Sequence, residues 1–276
     1  MKKVYKNVHL NKIMKKIVSW TQTYGENRLL NIQLLQFDTI GNVLRNKCEF
    51  IIFSFHNCSD IFFHNSEYIL NKIYDKNKLI LVRYNDITYL ECFREILKKI
   101  EFLNCSDILQ IQDDQHGINS ITNITNLSDL DIIIEEYQKN KEIQFMHLFS
   151  NEALPNDGFL PMEVIEKKNV LFYKYKSTEF RKKGVYSWND GTYIISIQLI
   201  KHLLYQKNIP HNVWHIELFL KAIFDKIPFI RWGTNKIIFK ASNLFGKNTN
   251  QTISVTENLY RFFGETNDWD KIQLLI

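Results

Sequence analysis

Two adjacent acids, Asp113 and Asp114, directly follow the short run Asp107–Gln112, which carries Ile and Leu at three of its six positions. A short apolar run that ends in turn-forming residues is typical of a buried strand. Neighbouring carboxylates repel each other, and a divalent cation or a basic partner relieves that repulsion. The pair could therefore hold a cation, or it could simply begin a solvated turn, which Asp also favours.

The direction of the side chains follows from strand geometry. Successive side chains of a strand point to opposite faces, so Gln110, Gln112 and Asp114 are expected on one face and Asp113 on the other. In open α/β sheets, ligands bind beyond the carboxyl ends of the strands. The end of this strand is therefore the first place to look for a site.

The preceding residues predict the sheet that would position this strand. Strand-like runs alternate with helical patterns, and right-handed crossovers would make the strands parallel. The strands are predicted at 15–24, 49–55, 78–84 and 107–112, and the helices at 28–44, 60–74 and 87–103. The predicted helix N-caps are Asn27, Ser59 or Asp60, and Asn85–Asp86. The predicted fold class is α/β, with a doubly wound, mostly parallel, Rossmann-like sheet in the N-terminal half.

Polar residues stand at the carboxyl end of each predicted strand, and a parallel sheet brings these ends to one edge. They are Thr21–Tyr24, His56–Asn57, Arg83–Asn85 and Gln112–Asp114. The sequence contains neither GxGxxG nor GxxxxGK[ST], so no dinucleotide fingerprint or P-loop explains this edge. A ligand there must be bound by other means.

The second half of the chain is expected to be mixed. A helix is predicted at 128–138, a strand at 143–148, helices at 193–206 and 213–224, and a strand at 227–232. Residues 151–184 are rich in turn signals, and the residues from Lys236 onward show no clear motif. Asp190 is a good N-cap for the helix predicted after Gly191.

Composition narrows the class of protein. The net charge is +5, with lysines scattered among acids, which does not indicate a nucleic-acid groove. No apolar run has the length of a membrane span, and the basic N-terminus lacks the apolar core of a signal peptide. The four cysteines form no CxxC pair and are expected to be reduced, buried thiols. We therefore expect a cytoplasmic protein without a membrane span.

The order of these features resembles the nucleotide-sugar glycosyltransferases of the A-type (GT-A) fold. The likeness rests on three features: Trp20–Arg28, which is the end of the opening strand with its polar turn and an Arg at the start of the first helix; Gln112-Asp113-Asp114 at the end of the fourth strand; and the late segments Trp188–Thr192 and Trp214–Leu218. It covers about residues 15 to 225. It implies one domain over 1–276, with a nucleotide-sugar-binding half at 15–120 and an acceptor-side half at 121–276.

The resemblance implies a metal-dependent transfer of a sugar from a nucleotide-sugar donor to an acceptor hydroxyl, with inversion. In a DXD-like role, Asp114 would hold Mn²⁺ or Mg²⁺ against the donor diphosphate, since hard oxygen ligands suit both ions. Asp113 would contact the ribose or reach the metal indirectly. The candidate donor-binding residues are Thr21, Tyr24, Arg28, Asn57, Arg83, Gln112 and Asp113.

Two acids are candidates for the catalytic base. Glu217 is expected to remove the acceptor proton, and Asp190 is its rival. Leu218 stands where relatives often carry a second acid, which weakens the choice of Glu217. Trp188 and Asn189 are expected on the acceptor side, where Trp188 could stack on a sugar ring.

Two other functions fit the same pattern. A sugar-phosphate nucleotidyltransferase would use a similar sheet, although Tyr24–Arg28 lacks the Gly-rich basic loop usual in that class. A non-catalytic nucleotide-sugar-binding protein would keep the fold without turnover. For the transferase, the expected partners are the donor and a glycan, lipid-linked or protein acceptor, with no nucleic acid.

Overall fold

The computed structural model describes most of the chain. It covers residues 14–24, 40–112, 115–117, 127–148, 160–178, 192–210, 219–220, 222–224, 226–236 and 239–241. The strands are β1 Ile17–Tyr24, β2 Phe50–His56, β3 Leu79–Tyr84, β4 Asp107–Gln112, β5 Gln115–Gly117, β6 Ile143–His147, β7 Glu163–Lys167, β8 Val170–Lys176, β9 Tyr193–Ser196, β10 Ile230–Thr234 and β11 Phe239–Ala241. The helices are α1 Asn42–Lys47, α2 Asp60–Ile73, α3 Tyr89–Phe102, α4 Leu127–Lys139 and α5 Ile197–Leu204.

Nine strands form one mixed sheet in the order β3-β2-β1-β4-β9-β6-β10-β8-β7. The first four are parallel to one another. The next strand, β9, is antiparallel to both β4 and β6, so β6 runs in the direction of β4. Strand β10 is parallel to β6, whereas β8 and β7 complete the sheet as an antiparallel hairpin. Strands β5 and β11 form a separate two-stranded sheet.

Helices cover both faces of the large sheet. Side chains alternate along β2, so Ile51 and Phe53 join one core cluster whereas Ile52 joins the other. The first cluster includes residues of α1, α2 and α4, and we call that side of the sheet the first face. The second cluster includes residues of α3 and α5 and defines the second face. Burying both faces explains why β2 is apolar at five of its seven positions.

The helix starts follow local capping chemistry. Ser59 caps α2 by accepting from the Phe62 N–H. Thr88 caps α3, and its reciprocal bonds with Glu91 form a capping box. The prediction that Asn85–Asp86 caps this helix is therefore wrong. Asp86 instead has a left-handed backbone, with φ of 55°, in the turn before the helix.

The mixed α/β class and the four predicted strands of the N-terminal half are confirmed. One expectation for the second half is wrong, and one segment had no predicted element. Residues 193–196 form strand β9 rather than the start of a helix, and α5 begins only after Ser196, whose hydroxyl accepts from the Leu199 N–H. Asp190 is therefore not the N-cap of this helix. Residues 163–176, within a segment predicted to be rich in turns, form the β7–β8 hairpin.

The start of β9 and the β7–β8 hairpin were both difficult to predict for a physical reason. Tyr193 to Leu204 is apolar at most positions, and a short continuous apolar run has no period that separates strand from helix. The β7–β8 hairpin turns at Lys168 and Asn169, both with positive φ (47° and 70°), and Lys is an uncommon residue there. Within the described part of the chain, no helix is long and apolar enough to cross a membrane.

Candidate functional site

The carboxyl ends of β1, β2, β3 and β4 lie along one edge of the sheet, as parallel pairing requires. The register places Gln22 of β1 between Ser54 of β2 and Gln112 of β4. Thr21 and Thr23 point to the first face and are buried, with 2% and 0% exposure. The Thr21 hydroxyl is therefore inside the structure rather than at the edge where a donor would bind.

Asn57 joins the ends of β2 and β3. Its backbone is left-handed, with φ of 50°. Its N–H donates to the Tyr84 carbonyl at 3.1 Å, and its Oδ1 accepts from the Asp86 N–H at 3.2 Å. Asn tolerates positive φ better than most residues because its short side chain bonds to nearby backbone. Asn57 thus has a defined structural duty at the predicted donor edge.

Arg83 is held by the connection between β2 and α2. One guanidinium nitrogen donates to Asp60, the other donates to the Cys58 carbonyl at 2.7 Å, and the group lies 5.5 Å from the Phe63 ring centroid. The hydrogen bond from Arg83 lowers the pKa of Asp60 below its usual value. A donor phosphate would have to compete with Asp60 for this guanidinium.

A buried polar cluster that the sequence did not reveal lies beneath the same edge, on the second face. Trp20 Nε1 donates to Ser54 Oγ at 2.9 Å, and His56 Nε2 lies 3.4 Å from that same oxygen. His56 Nε2 also lies 2.9 Å from Cys92 Sγ on α3, and the His56 ring stacks on Tyr84 with centroids 5.7 Å apart. These contacts link β1, β2 and β3 to α3.

His56 is held in its neutral form. Burial lowers its pKa to about 4, and burial likewise raises the pKa of the Cys92 thiol to about 12. A thiol with so high a pKa is not a nucleophile at neutral pH. The cluster therefore offers a neutral imidazole and a protonated thiol at neutral pH.

The low pKa of His56 predicts an acid-dependent loss of stability. Between pH 6.5, the ordinary pKa, and about 4, the unfolded chain binds a proton on His56 that the folded chain does not bind. The free energy of unfolding should therefore fall as the pH is lowered through this range, by about 2 to 3 kcal/mol from this group. Urea unfolding between pH 7 and pH 4 measures it.

A variant isolates this contribution. His56→Phe keeps a flat ring beside Tyr84 but cannot take up a proton. Its stability should fall less steeply with acid than that of the wild type, whatever its stability at neutral pH. Parallel stability curves for the two proteins would show that His56 does not account for the acid loss.

A row of buried residues with polar groups crosses the centre of the sheet. Trp20, Gln110, Tyr193 and His147 occupy matching positions on β1, β4, β9 and β6, and all are buried. The Tyr193 hydroxyl donates to Gln110 Oε1. The Phe145 ring packs on Tyr193 at 5.6 Å and stacks on His147 at 6.2 Å. The row ties β4 to the two strands of the second half that lie nearest to it.

Most of the residues predicted to bind the donor, the metal or the acceptor, or to act in catalysis, lie outside the described part of the chain. Gln112 and Tyr24 are the last residues of β4 and β1, and only their backbone is described. The structure does not describe Arg28, Asp113, Asp114, Trp188, Asn189, Asp190 or Glu217. Their roles stay predictions. Among the residues it does describe, no three His, Cys, Asp or Glu side chains form a group that could hold a metal ion.

A cavity of about 560 Å³ lies at the opposite edge, where β1 and β4 begin. Its lining includes Lys15 and Asp107, a buried ion pair 3.7 Å apart. Asp107 also accepts from Ser106 Oγ at 2.6 Å and from the Tyr137 hydroxyl at 2.8 Å. Both carboxylate oxygens of Asp107 already accept hydrogen bonds from side chains of the protein. The Lys15–Asp107 pair therefore has a structural role and is not a candidate ligand site.

Comparison with known proteins gives only remote likenesses. No protein family and no curated protein matches the sequence. Among solved structures, residues 1–349 of TarS from S. aureus share 14% identity, with 94% of this chain and 69% of that chain covered and a TM-score of 0.48. The same TarS segment in complex with UDP-GlcNAc has a TM-score of 0.47, with 14% identity over 94% of this chain and 70% of the other.

Two further solved structures are nucleotide-handling enzymes by name. The 4-diphosphocytidyl-2C-methyl-D-erythritol synthase of Anaerococcus prevotii shares 15% identity, covering 90% of this chain and 99% of its own, with a TM-score of 0.45. A UDP-glucose pyrophosphorylase complexed with UDP-glucose shares 14% identity, covering 90% and 100%, with a TM-score of 0.44. Likeness of this degree carries no argument about activity and does not place the chain in a family.

Proposed function

We propose that this chain is a metal-dependent glycosyltransferase of the GT-A type, which moves a sugar from a nucleotide-sugar donor to an acceptor hydroxyl. The proposal rests on one observation. The acid pair Asp113–Asp114 follows β4, and β4 borders the point at which the strand order of the parallel sheet reverses.

The reversal follows from the order β3-β2-β1-β4. From β1 the chain moves outward on one side to β2 and β3, and it then returns to the other side of β1 as β4. The connecting helices α2 and α3 pack on opposite faces of the sheet. Such a reversal opens a crevice between the carboxyl ends of the two central strands, and open α/β sheets bind their ligands there.

The residues at this crevice suit an anionic donor held through a cation. Gln22 and Gln112 are register partners at its base, and Asp113 and Asp114 follow Gln112 directly. Carboxylate oxygens are the ligands that Mg²⁺ and Mn²⁺ prefer, and both ions keep positions for phosphate oxygens. The ion would stabilise negative charge on the departing nucleoside diphosphate. Asp114 is the proposed ligand, with Asp113 beside it.

The transfer itself needs a base on the acceptor side. The acceptor oxygen would bond to the anomeric carbon while the bond from that carbon to the diphosphate oxygen breaks. Glu217 or Asp190 would take the hydroxyl proton, and the bonding electrons would leave with the nucleoside diphosphate. Both acids belong to the second half of the chain, which β9 joins to β4 through the Tyr193–Gln110 hydrogen bond.

The test is binding followed by turnover. A thermal-unfolding screen of UDP, GDP, CDP and ADP, each with Mn²⁺ and each with EDTA, should reveal one nucleotide that raises the melting temperature only when the metal is present. Hydrolysis of the matching nucleotide-sugar should then release nucleoside diphosphate, and EDTA should stop it. Release of pyrophosphate from a nucleoside triphosphate and a sugar phosphate would favour the nucleotidyltransferase instead. Binding without either reaction would favour a non-catalytic protein.

A further inference from the structure

Strand β7 ends the nine-stranded sheet, and β8 is its sheet neighbour. Every second residue of an edge strand turns its backbone N–H and C=O away from the sheet, where another strand can pair with them. Strand β7 is part of a tight hairpin closed by the Lys167–Val170 pair. Strand β7 therefore pairs with β8 along its whole length.

Three of the seven large apolar side chains that are exposed in the described part of the chain lie here. Leu160, Met162 and Val164 have exposures of 79%, 55% and 53%. Val164 lies on β7, and Leu160 and Met162 lie in the segment that leads into it. Single exposed apolar residues are ordinary, but three of them beside an edge that pairs with no further strand among the described residues mark a surface that gains from being covered.

The charged residues of β7 indicate which strand would pair with its free edge. The strand reads Glu163-Val164-Ile165-Glu166-Lys167. When two copies pair antiparallel about a twofold axis through Ile165, Glu163 of each copy faces Lys167 of the other. The symmetry makes this opposite-charge pair twice, and cross-strand pairs of opposite charge stabilise a sheet.

Neighbouring registers lack this match. An axis through Ile165 also sets Val164 against Glu166. An axis through Val164 sets Glu163 against Ile165 and Met162 against Glu166, and it makes no pair of opposite charges. An axis through Glu166 sets two like carboxylates against each other, which destabilises the pair. Edge charges usually prevent pairing between sheets, but here their spacing selects one self-complementary register.

We propose that this protein self-associates through β7, antiparallel and centred on Ile165, so that two nine-stranded sheets become one continuous sheet. The partner is a second copy of the chain. Inside each copy, Lys174 lies 3.2 Å from Glu163, its cross-strand neighbour on β8. Glu163 would then lie between two cations, Lys174 of its own copy and Lys167 of the other. The proposal is independent of the proposed transferase activity.

Charge reversal tests the register. Sedimentation velocity over a range of micromolar concentrations should show a wild-type dimer whose fraction rises with concentration. Glu163→Lys and Lys167→Glu should each weaken the dimer, by about 10- to 100-fold in Kd, because each creates two like-charge pairs. The double variant restores both pairs in reversed order and should dimerise again. Lys76→Glu, at an exposed loop position outside β7, is the matched control.

The double variant also separates association from folding. Glu163→Lys removes the ion pair with Lys174 within the chain, and the second substitution does not bring that pair back. Recovery of the dimer in the double variant therefore reports contact between copies. A monomer at every concentration, or a dimer that both single variants leave intact, would overturn the proposal. So would a folded double variant that stays monomeric.

A crosslink gives a second measurement. Ile165 would face itself across the axis, at a distance that a disulfide can bridge. With copper phenanthroline as the oxidant, Ile165→Cys should form a covalent dimer, whereas Glu163→Cys should not, because its opposite residue is Lys167. The four native cysteines are buried and free. Equal crosslinking of both variants would contradict the register.

Discussion

Asp114→Ala is expected to lower metal-dependent turnover of the nucleotide-sugar by at least about 100-fold, because the proposed cation contributes several kcal/mol to stabilising the leaving diphosphate. The metal-dependent rise in melting temperature with nucleotide should disappear as well. Steady-state rates across a titration of Mn²⁺ measure the first effect, and the thermal-unfolding screen measures the second.

Two controls make this result specific. Asp131→Ala removes a partly exposed acid of α4 that pairs with Lys47 at 3.4 Å, and it should leave turnover unchanged. Asp113→Ala should have a smaller effect than Asp114→Ala, since alternation of side chains along an extended chain predicts that Asp113 points away from the face of Asp114. Wild-type turnover and metal dependence in Asp114→Ala would remove the basis of the proposed function.

Lys15→Met is expected to lower the free energy of unfolding by about 3 to 5 kcal/mol, because it leaves the Asp107 carboxylate buried without its cation. Asp107 has 1% exposure. The Lys15 ammonium lies 3.7 Å from it, donates to the Ile143 carbonyl, and lies 3.9 Å from the Tyr137 ring centroid. Urea unfolding at neutral pH measures the loss.

The same variant should show a distinctive pH dependence. Burial raises the pKa of Asp107 even with Lys15 present, and burial lowers the pKa of Lys15. Without Lys15 the pKa of Asp107 rises further, and the folded chain then binds a proton more tightly than the unfolded chain. The stability lost at neutral pH should therefore be partly regained as the pH falls through the raised pKa.

Lys47→Met is the matched control for Lys15→Met. Lys47 is partly exposed, with its Nζ 3.4 Å from Asp131 and 3.6 Å from Glu135, both of which are more exposed than Lys47. Exposed ion pairs contribute about 0 to 1 kcal/mol, so this variant should unfold nearly like the wild type. Equal losses in the two variants would show that burial of the Lys15–Asp107 pair is not the cause.

The N-terminal half could be predicted because its local signals agree. Apolar runs alternate with helical periods, and Ser59 stands where a helix start was expected. The second half could not be predicted to the same depth. Strand β9 inserts antiparallel between β4 and β6, and pairing between distant segments leaves no periodic mark in the sequence.

The candidate site also combines features that local sequence signals predict with features that only tertiary contacts decide. Strand ends such as Asn57 and Arg83 could be placed from the order of elements, but their partners could not. That Asp60 and the Cys58 carbonyl hold Arg83 is a tertiary fact. The His56–Cys92 contact joins residues 36 positions apart, and no spacing rule connects them. Sequence reasoning finds the edge of the sheet, while packing decides which side chains remain available there.

The position of β9 also bears on how the protein forms as it leaves the ribosome. Strands β1 to β4 pair among themselves, so they can assemble once residue 112 has emerged. Strand β6 has β9 and β10 as its neighbours, and these arrive about 50 and 85 residues later at the stated bounds. Until then β6 has no strand to join, and unpaired strands are prone to misassembly. During synthesis the chain is therefore expected to have β1 to β4 paired in a parallel sheet while β6 is still unpaired. Chaperones would bind this partly folded form.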